Sequence, residues 1–253
     1  MNLIDLPNAA LSRMRVVLVK TSHPGNIGAA ARAMKTMGIS NLVLVAPEVF
    51  PSALATARAA GAADVLERAR VVQTLPEALV GVQMAGALTA RRRELALPFH
   101  TPRQASERLG QVALEGEVAL VFGNETSGLS NEDLAYCHMP ITIPTQPGYS
   151  SLNLGSAVQV MCYEMRMAAL ALSQAEDSVP QPSRVDRLAS HDEVEGFFAH
   201  LERALTESGF YDPQHSRRLF PRVRRLFGRV ALEHDEVSIL RGMLTSFQAK
   251  WRQ

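Results

Sequence analysis

Short apolar runs alternate with Ala- and Met-rich stretches along residues 15–172. Arg15–Val19, Asn41–Val45, Ala69–Val72, Met84–Leu88, Glu117–Phe122 and Met139–Ile143 are predicted strands. Between them the spacing predicts helices over Ile27–Met37, ended by Gly38, and over Leu54–Ala60, ended by Gly61. Pro76 opens a further short helix. A long helix is predicted over Leu152–Leu172, apolar on more than one face through Leu154, Val158, Val160, Met161, Met165, Met167 and Leu170. Strands that are apolar throughout and alternate with helices specify a parallel sheet covered on both sides.

The pattern changes at residue 174. Gln174–Arg184 is polar with two prolines, a linker composition. Ser190 and Glu193 then match a capping box, and Val194, Phe197, Phe198, Leu201 and Leu205 follow helical spacing. Leu219–Leu232 and Val237–Trp251 read as further helices, with Asp212-Pro213 as a turn. The expected organisation is an α/β domain over 1–173, a linker over 174–189 and a helical module over 190–253.

Composition narrows the function classes. The 253 residues are 47% hydrophobic and 20% charged, ordinary for a globular chain. No apolar run approaches the ~20 residues that span a bilayer. The N-terminal MNLIDLPNAALSRMR lacks the basic end and apolar stretch of a signal peptide. A cytoplasmic protein without a membrane partner is therefore expected. Cys137 and Cys162 have no metal-site spacing and read as two reduced thiols, at least one of them buried. The net charge of +1 announces no nucleic acid globally, so any such signal has to be local.

Three segments carry candidate chemistry. The first runs from Thr21-Ser22-His23-Pro24-Gly25-Asn26 through Gly28 to Arg32, joining the first strand to a helix. Glycine at such a turn lets backbone approach an anion, and a helix N-terminus adds a favourable field. Arg32 falls about two turns into the helix on the face of Gly28. A tight connection with an exposed arginine explains the same spacing. His23 is a base by type, but a lone loop histidine is more often a polar loop residue.

The second segment is Val121–Leu129, a strand running into Gly123-Asn124-Glu125-Thr126-Ser127-Gly128. Ligands of open α/β sheets sit beyond the carboxyl ends of the strands. Glu125 reads as a loop-fixing acceptor rather than a catalytic acid, and Ser130 as the cap of a following helix. The third segment is Ile143-Pro144 followed by Tyr149-Ser150-Ser151-Leu152-Asn153-Leu154. So many hydroxyls and an amide at a strand end can wrap an adenine and a polar tail. Capping by Ser150 or Ser151 explains one residue of that string, not all of it.

Two basic clusters accompany them. Arg91-Arg92-Arg93 follow the strand Met84–Leu88 and Thr89-Ala90, on the ligand side of the sheet. A charge run is usually a solvated face, but this position favours phosphate contact. Arg217, Arg218, Arg222, Arg224, Arg225 and Arg229 lie between Asp212 and Glu233 with no acid among them, interleaved with Phe220 and Phe227. Such a patch can track a nucleic-acid backbone. An amphipathic helix that buries Leu219, Phe220, Val223, Leu226 and Phe227 fits the same residues, and the two readings are compatible.

In this order the three segments resemble those of the SPOUT superfamily of knotted methyltransferases, in its TrmH-like 2′-O-methyltransferase branch. The stretches TARRRELALP (89–98) and PGYSSLNLGSAVQVMCYE (147–164), with a tethered helical module, are similar to bacterial tRNA (cytidine/uridine-2′-O-)-methyltransferases over nearly the whole chain. The resemblance implies a parallel-sheet α/β fold with a C-terminal trefoil knot, an exception to the usual absence of knots. It implies an S-adenosylmethionine pocket from Leu88, Thr89, Ala90, Gly123, Ile143, Ser150, Ser151 and Leu152, in a homodimer whose site is completed at the interface. It also implies a substrate, the ribose 2′-hydroxyl of nucleotide 32 in the tRNA anticodon loop.

Residue roles follow from the same resemblance. Arg32 and Ser151 are the expected catalytic residues. Because arginine is hardly ever deprotonated, Arg32 is expected to clamp the adjacent phosphate and stabilise developing charge, with Ser151 orienting ribose or cofactor. Asn26, Arg91, Arg93, Arg217, Arg218, Arg224 and Arg225 are expected RNA contacts. The expected partners are tRNA and a second copy of the chain, with no DNA and no metal. A ribosomal-RNA enzyme of the same branch and a non-catalytic knotted RNA-binding protein are the alternatives. A Rossmann dehydrogenase is excluded, since no Gly-x-Gly-x-x-Gly follows the first strand.

Overall fold

The computed structural model describes residues 6–90, 98–147, 149, 151–175, 188–216 and 218–251. They fall into two compact units, 1–180 and 181–253. In the first, α1 (Leu6–Ser12) leads into β1 (Met14–Val19), α2 (Pro24–Thr36) and β2 (Asn41–Val45). Then come α3 (Ala53–Ala59), α4 (Ala63–Glu67), β3 (Arg70–Val72), α5 (Leu75–Leu79) and β4 (Val82–Leu88). The unit closes with α6 (Pro102–Val112), β5 (Glu117–Phe122), α7 (Asn131–Ala135), β6 (Met139–Ile141) and α8 (Leu154–Ala175).

The six strands form one parallel sheet in the order β3-β2-β1-β5-β4-β6, as the apolar runs predict. All of β1 is buried because both faces of the sheet are covered. On one face Val17, Val19, Val43, Val45, Ala85, Ala119 and Val121 meet Leu75, Ala78 and Leu79 of α5, together with Leu129, Leu134 and Cys137. The alternate residues Val16, Leu18, Leu42, Leu44, Leu120 and Phe122 point to the other face and are also buried. The helices α1, α2 and α6 pack on α8, and α3 packs on α2. Both cysteines are buried, and burial pushes each thiol's pKa up.

Helix α2 starts at Pro24, three residues earlier than the spacing predicts, because proline's fixed φ suits the first helical turn. Conversely, β6 ends at Ile141 and α8 starts at Leu154, inside the predicted limits. Helices α1, α4 and α6 were not anticipated at all. Helix α6 is opened by a capping box in which the Thr101 side chain accepts from Gln104 N and the Gln104 side chain accepts from Thr101 N.

The β6 edge is built in an unusual way. Ile141 is held on one side by Thr89, whose N donates to Ile141 O at 2.9 Å. On the other side Thr142 N donates to His100 O at 3.0 Å, and His100 N to Pro140 O at 3.0 Å. Thr89 and His100 belong to one stretch of chain, so β6 lies between its two ends. That is the arrangement a threaded chain requires.

The second unit has its own core. Helices α9 (His191–Glu207), α10 (Leu219–Gly228) and α11 (His234–Trp251) enclose Phe197, Phe198, Leu201, Tyr211, Phe220, Leu232 and Val237. The predicted capping box opens α9: Ser190 Oγ accepts from Glu193 N, and the Glu193 carboxylate accepts from Ser190 N at 2.7 Å. Edge-to-face pairs such as Phe197–Phe227, with centroids 5.0 Å apart, fill the centre.

Candidate active site

The three motif loops meet beyond the carboxyl ends of β1, β5 and β6, and polar side chains lock them together. The N-cap of α2, His23, provides no side-chain cap, and no acid lies in the first turn. The missing acceptor comes from the second motif. Glu125 Oε2 accepts from Ser22 N and Ser22 Oγ, both at 3.0 Å. Its Oε1 accepts from His23 N at 3.2 Å and from Asn26 Nδ2 at 2.8 Å. Burial of this half-buried carboxylate opposes ionisation, but the hydrogen bonds from Asn26, Ser22 and His23 outweigh it and lower its pKa. A carboxylate beside the start of α2 also meets the favourable end of the helix dipole. Glu125 is the loop-fixing acceptor that its sequence context predicts.

The third motif joins through Asn26. Asn153 Nδ2 donates to Asn26 Oδ1 at 3.0 Å, and Asn153 Oδ1 accepts from Gly155 N at 2.9 Å at the start of α8. Within the second motif, Asn124 Nδ2 donates to Lys20 O at 2.7 Å, while its Oδ1 accepts from Thr126 N and Ser127 N. This folds the loop back so tightly that a Cβ on Gly123 would lie 2.3 Å from the backbone of Gly128 and Leu129. Gly128 closes the turn at φ +69°.

Around this frame lies a cavity of about 500 Å³. Leu88, Thr89, Ala90, Gly123, Ile143, Ser151 and Leu152 line it. Ser150 lies outside the described residues, as do Arg91, Arg93 and Arg217. The cavity wall also includes Phe122, Thr126 and Leu129 of the second segment, and Ile141, Thr145 and Ala157, which the sequence reading did not single out. Their common signal is position: each lies at or beyond the carboxyl end of a strand or in the first turn of α8.

The matches to known families follow the same partition. A family model described as SpoU rRNA Methylase family matches residues 13–163, and one described as the C-terminal domain of tRNA methyltransferase TrmJ matches 192–253. The chain belongs to the TrmJ branch of the SpoU methylases. It is 49% identical to the tRNA (cytidine/uridine/adenosine-2′-O-)-methyltransferase TrmJ of Pseudomonas aeruginosa, covering 94% of this chain and 95% of that one. It is 46% identical to the tRNA (cytidine/uridine-2′-O-)-methyltransferase TrmJ of Yersinia pestis over 94% of this chain and 92% of that one. The crystal structure of TrmJ from Z. mobilis ZM4 superposes with a TM-score of 0.80 at 33% identity, covering 92% of this chain and 98% of the other.

Within this TrmJ frame the remaining site residues divide. Arg32 is exposed on α2 and lies outside the cavity wall. Asn26, expected at the RNA, is turned inward, both ends of its amide being taken by Glu125 and Asn153. In the helical unit Arg218 is exposed and Arg225 half-buried. Arg224, also expected at the RNA, instead pairs with Glu195 of α9 and lies 4.3 Å over the Phe198 ring. Its run in the sequence holds no acid, but α9 brings one. No group of histidine, cysteine or carboxylate side chains that could hold a metal occurs among the described residues. No described helix is long and apolar enough to cross a membrane.

Proposed function

We propose that the chain transfers the methyl group of S-adenosylmethionine to the ribose 2′-hydroxyl of nucleotide 32 in the tRNA anticodon loop. The observation that carries the reading is the cavity of about 500 Å³ built by all three motifs at the strand ends. Its volume lies in the ordinary range of small-molecule sites, roughly 300–1,000 Å³. Apolar Leu88, Ile141, Leu129 and Leu152 suit a purine face. Bound there, S-adenosylmethionine supplies an electrophilic methyl group with a neutral leaving group.

The protein then has to place a hydroxyl and manage one proton. Ser151, exposed at the cavity mouth, orients the ribose or the cofactor. Arg32 clamps the neighbouring phosphate and stabilises charge developing on the attacking oxygen. Because Arg32 lies outside the cavity wall, a second copy of the chain completes the site in the proposed homodimer. Arg218 and Arg225 extend the contact to tRNA, and so do Arg91, Arg93 and Arg217 outside the described residues.

A solved structure named for 2-OH methylation of C/U34 on tRNA supports a second reading. It matches with a TM-score of 0.51 at 25% identity, over 62% of this chain and 97% of that one. The TrmJ C-terminal domain at 192–253 supports a tRNA substrate, and nucleotide 32 is the target we propose within it. The test is transfer of label from S-adenosylmethionine to bulk tRNA and, separately, to ribosomal RNA. Labelled tRNA is the expected product. Label on ribosomal RNA alone moves the substrate, and no label on either makes the non-catalytic reading the better one.

A further inference from the structure

Gly28 sits where α2 and α3 cross. A Cβ there would lie 2.1 Å from Ala55 O, so the backbone of α3 occupies the space a side chain would need. This contact sets the position of Arg58, one turn further along α3. Its Cβ lies 2.9 Å from the missing Gly28 Cβ, and its Cγ 3.6 Å from that of Gly25. The Arg58 side chain therefore runs along α2 from the second turn back toward the N-terminus. There Ser22, His23 and Asn26 are bound to Glu125 at the edge of the cavity.

The start of α2 carries the positive end of the helix dipole, which repels cations. At the start of α2 the Glu125 carboxylate is taken by Ser22, His23 and Asn26, and by its last turn Asp64 is taken by Lys35 at 2.7 Å and Arg68 at 2.8 Å. Among the described residues neither Arg58 nor Arg32 forms an ion pair. Arg32 follows Gly28 by one helical turn, so the two arginines bracket the same glycine. Two such exposed cations, next to a cavity, suit an anionic ligand with spaced charges.

We propose that Arg58 is a substrate-positioning residue that grips a backbone phosphate of the RNA, next to the phosphate held by Arg32. The proposal rests on the methyl-transfer reading. Arg58 contributes to placing the RNA and not to the chemistry at the methyl group. Gly28 acts through it, because only glycine lets α3 bring Arg58 this close.

The test compares Arg58→Met and Arg58→Lys with the wild-type full-length chain, using bulk tRNA and S-adenosylmethionine. Methionine keeps an unbranched apolar stem over Gly28 and removes the charge. The expected result for Arg58→Met is a KM for tRNA raised roughly 3- to 10-fold, with kcat and cofactor affinity kept and the salt slope of tRNA binding reduced by about one. Arg58→Lys should recover most of the KM. An unchanged KM and salt slope in Arg58→Met would overturn the proposal. A loss of cofactor affinity or of melting temperature in Arg58→Lys would also overturn it, by making the residue part of the scaffold. If the wild-type chain methylates no tRNA, the methyl-transfer reading has failed instead. Direct tRNA binding and its salt slope then still decide whether Arg58 grips phosphate.

Discussion

Asn153 Nδ2 donates to Asn26 Oδ1 at 3.0 Å across 127 positions of sequence, and through Asn26 it reaches the Glu125 carboxylate. One hydrogen-bonded line thus joins all three motif loops. The cavity is shaped by side chains that hold one another, with Ser151 exposed at its mouth.

Glu125→Gln tests that line. An amide can accept at one end only, so two of the donors from Ser22, His23 and Asn26 would face an NH₂ group. The expected cost is about 1–2 kcal/mol for this half-buried group, with a cofactor affinity lowered roughly 10-fold, read by calorimetry. The pH dependence has a defined sign. The Glu125 pKa is lowered by folding, so its contribution is fully present above the ordinary value of 4.5 and is lost as pH falls below it. Cofactor affinity limited by this group should stay flat from pH 8 down to about 5 and fall only in stronger acid. A midpoint near neutrality would assign the loop's order to some other group.

Gly28→Ala is expected to destabilise the first unit by about 1–3 kcal/mol, because the new methyl meets Ala55 O and backbone cannot rotate aside. Thermal melting measures it. A neutral result would mean that α3 moves freely, which the tight α2–α3 crossing argues against.

Arg32→Ala is expected to lower kcat for methyl transfer at least 100-fold while leaving cofactor affinity within about 2-fold, since Arg32 lies outside the cavity wall. Collapse of cofactor binding, measured in the same titration, would contradict that division of labour.

A chain ending near residue 180 retains the whole buried sheet and its helices. It should melt cooperatively and bind S-adenosylmethionine as the full chain does, with tRNA affinity down about 10-fold or more. Methylation at the full rate would remove the helical unit from tRNA recognition.

The strands were legible because β1, β2 and β5 are buried on both sides and so read as unbroken apolar runs. Helix α6 was not, because it packs through small residues. Ala105, Ser106 and Gly110 are buried, and a Cβ on Gly110 would lie 3.3 Å from Ala168 of α8. Leu109 is the one large apolar residue on its buried face, so the helical period shows only when small residues are set against charged ones. The cavity residues were legible because motif order and strand ends fix them. The roles of individual polar groups were less so, since their partners are remote in sequence. Gly28 reads as a place for an anion, yet Ala55 fills the space. Asn26 reads as an RNA contact until Glu125 and Asn153 are seen to hold it. Arg224 lies in a run without acids until α9 supplies Glu195.

The most direct measurement is mapping 2′-O-methyl groups on tRNA after incubation with the full-length chain and S-adenosylmethionine. The account predicts a new methyl at ribose 32, absent from the Arg32→Ala reaction. A methyl at position 34 alone, or on ribosomal RNA alone, would contradict it.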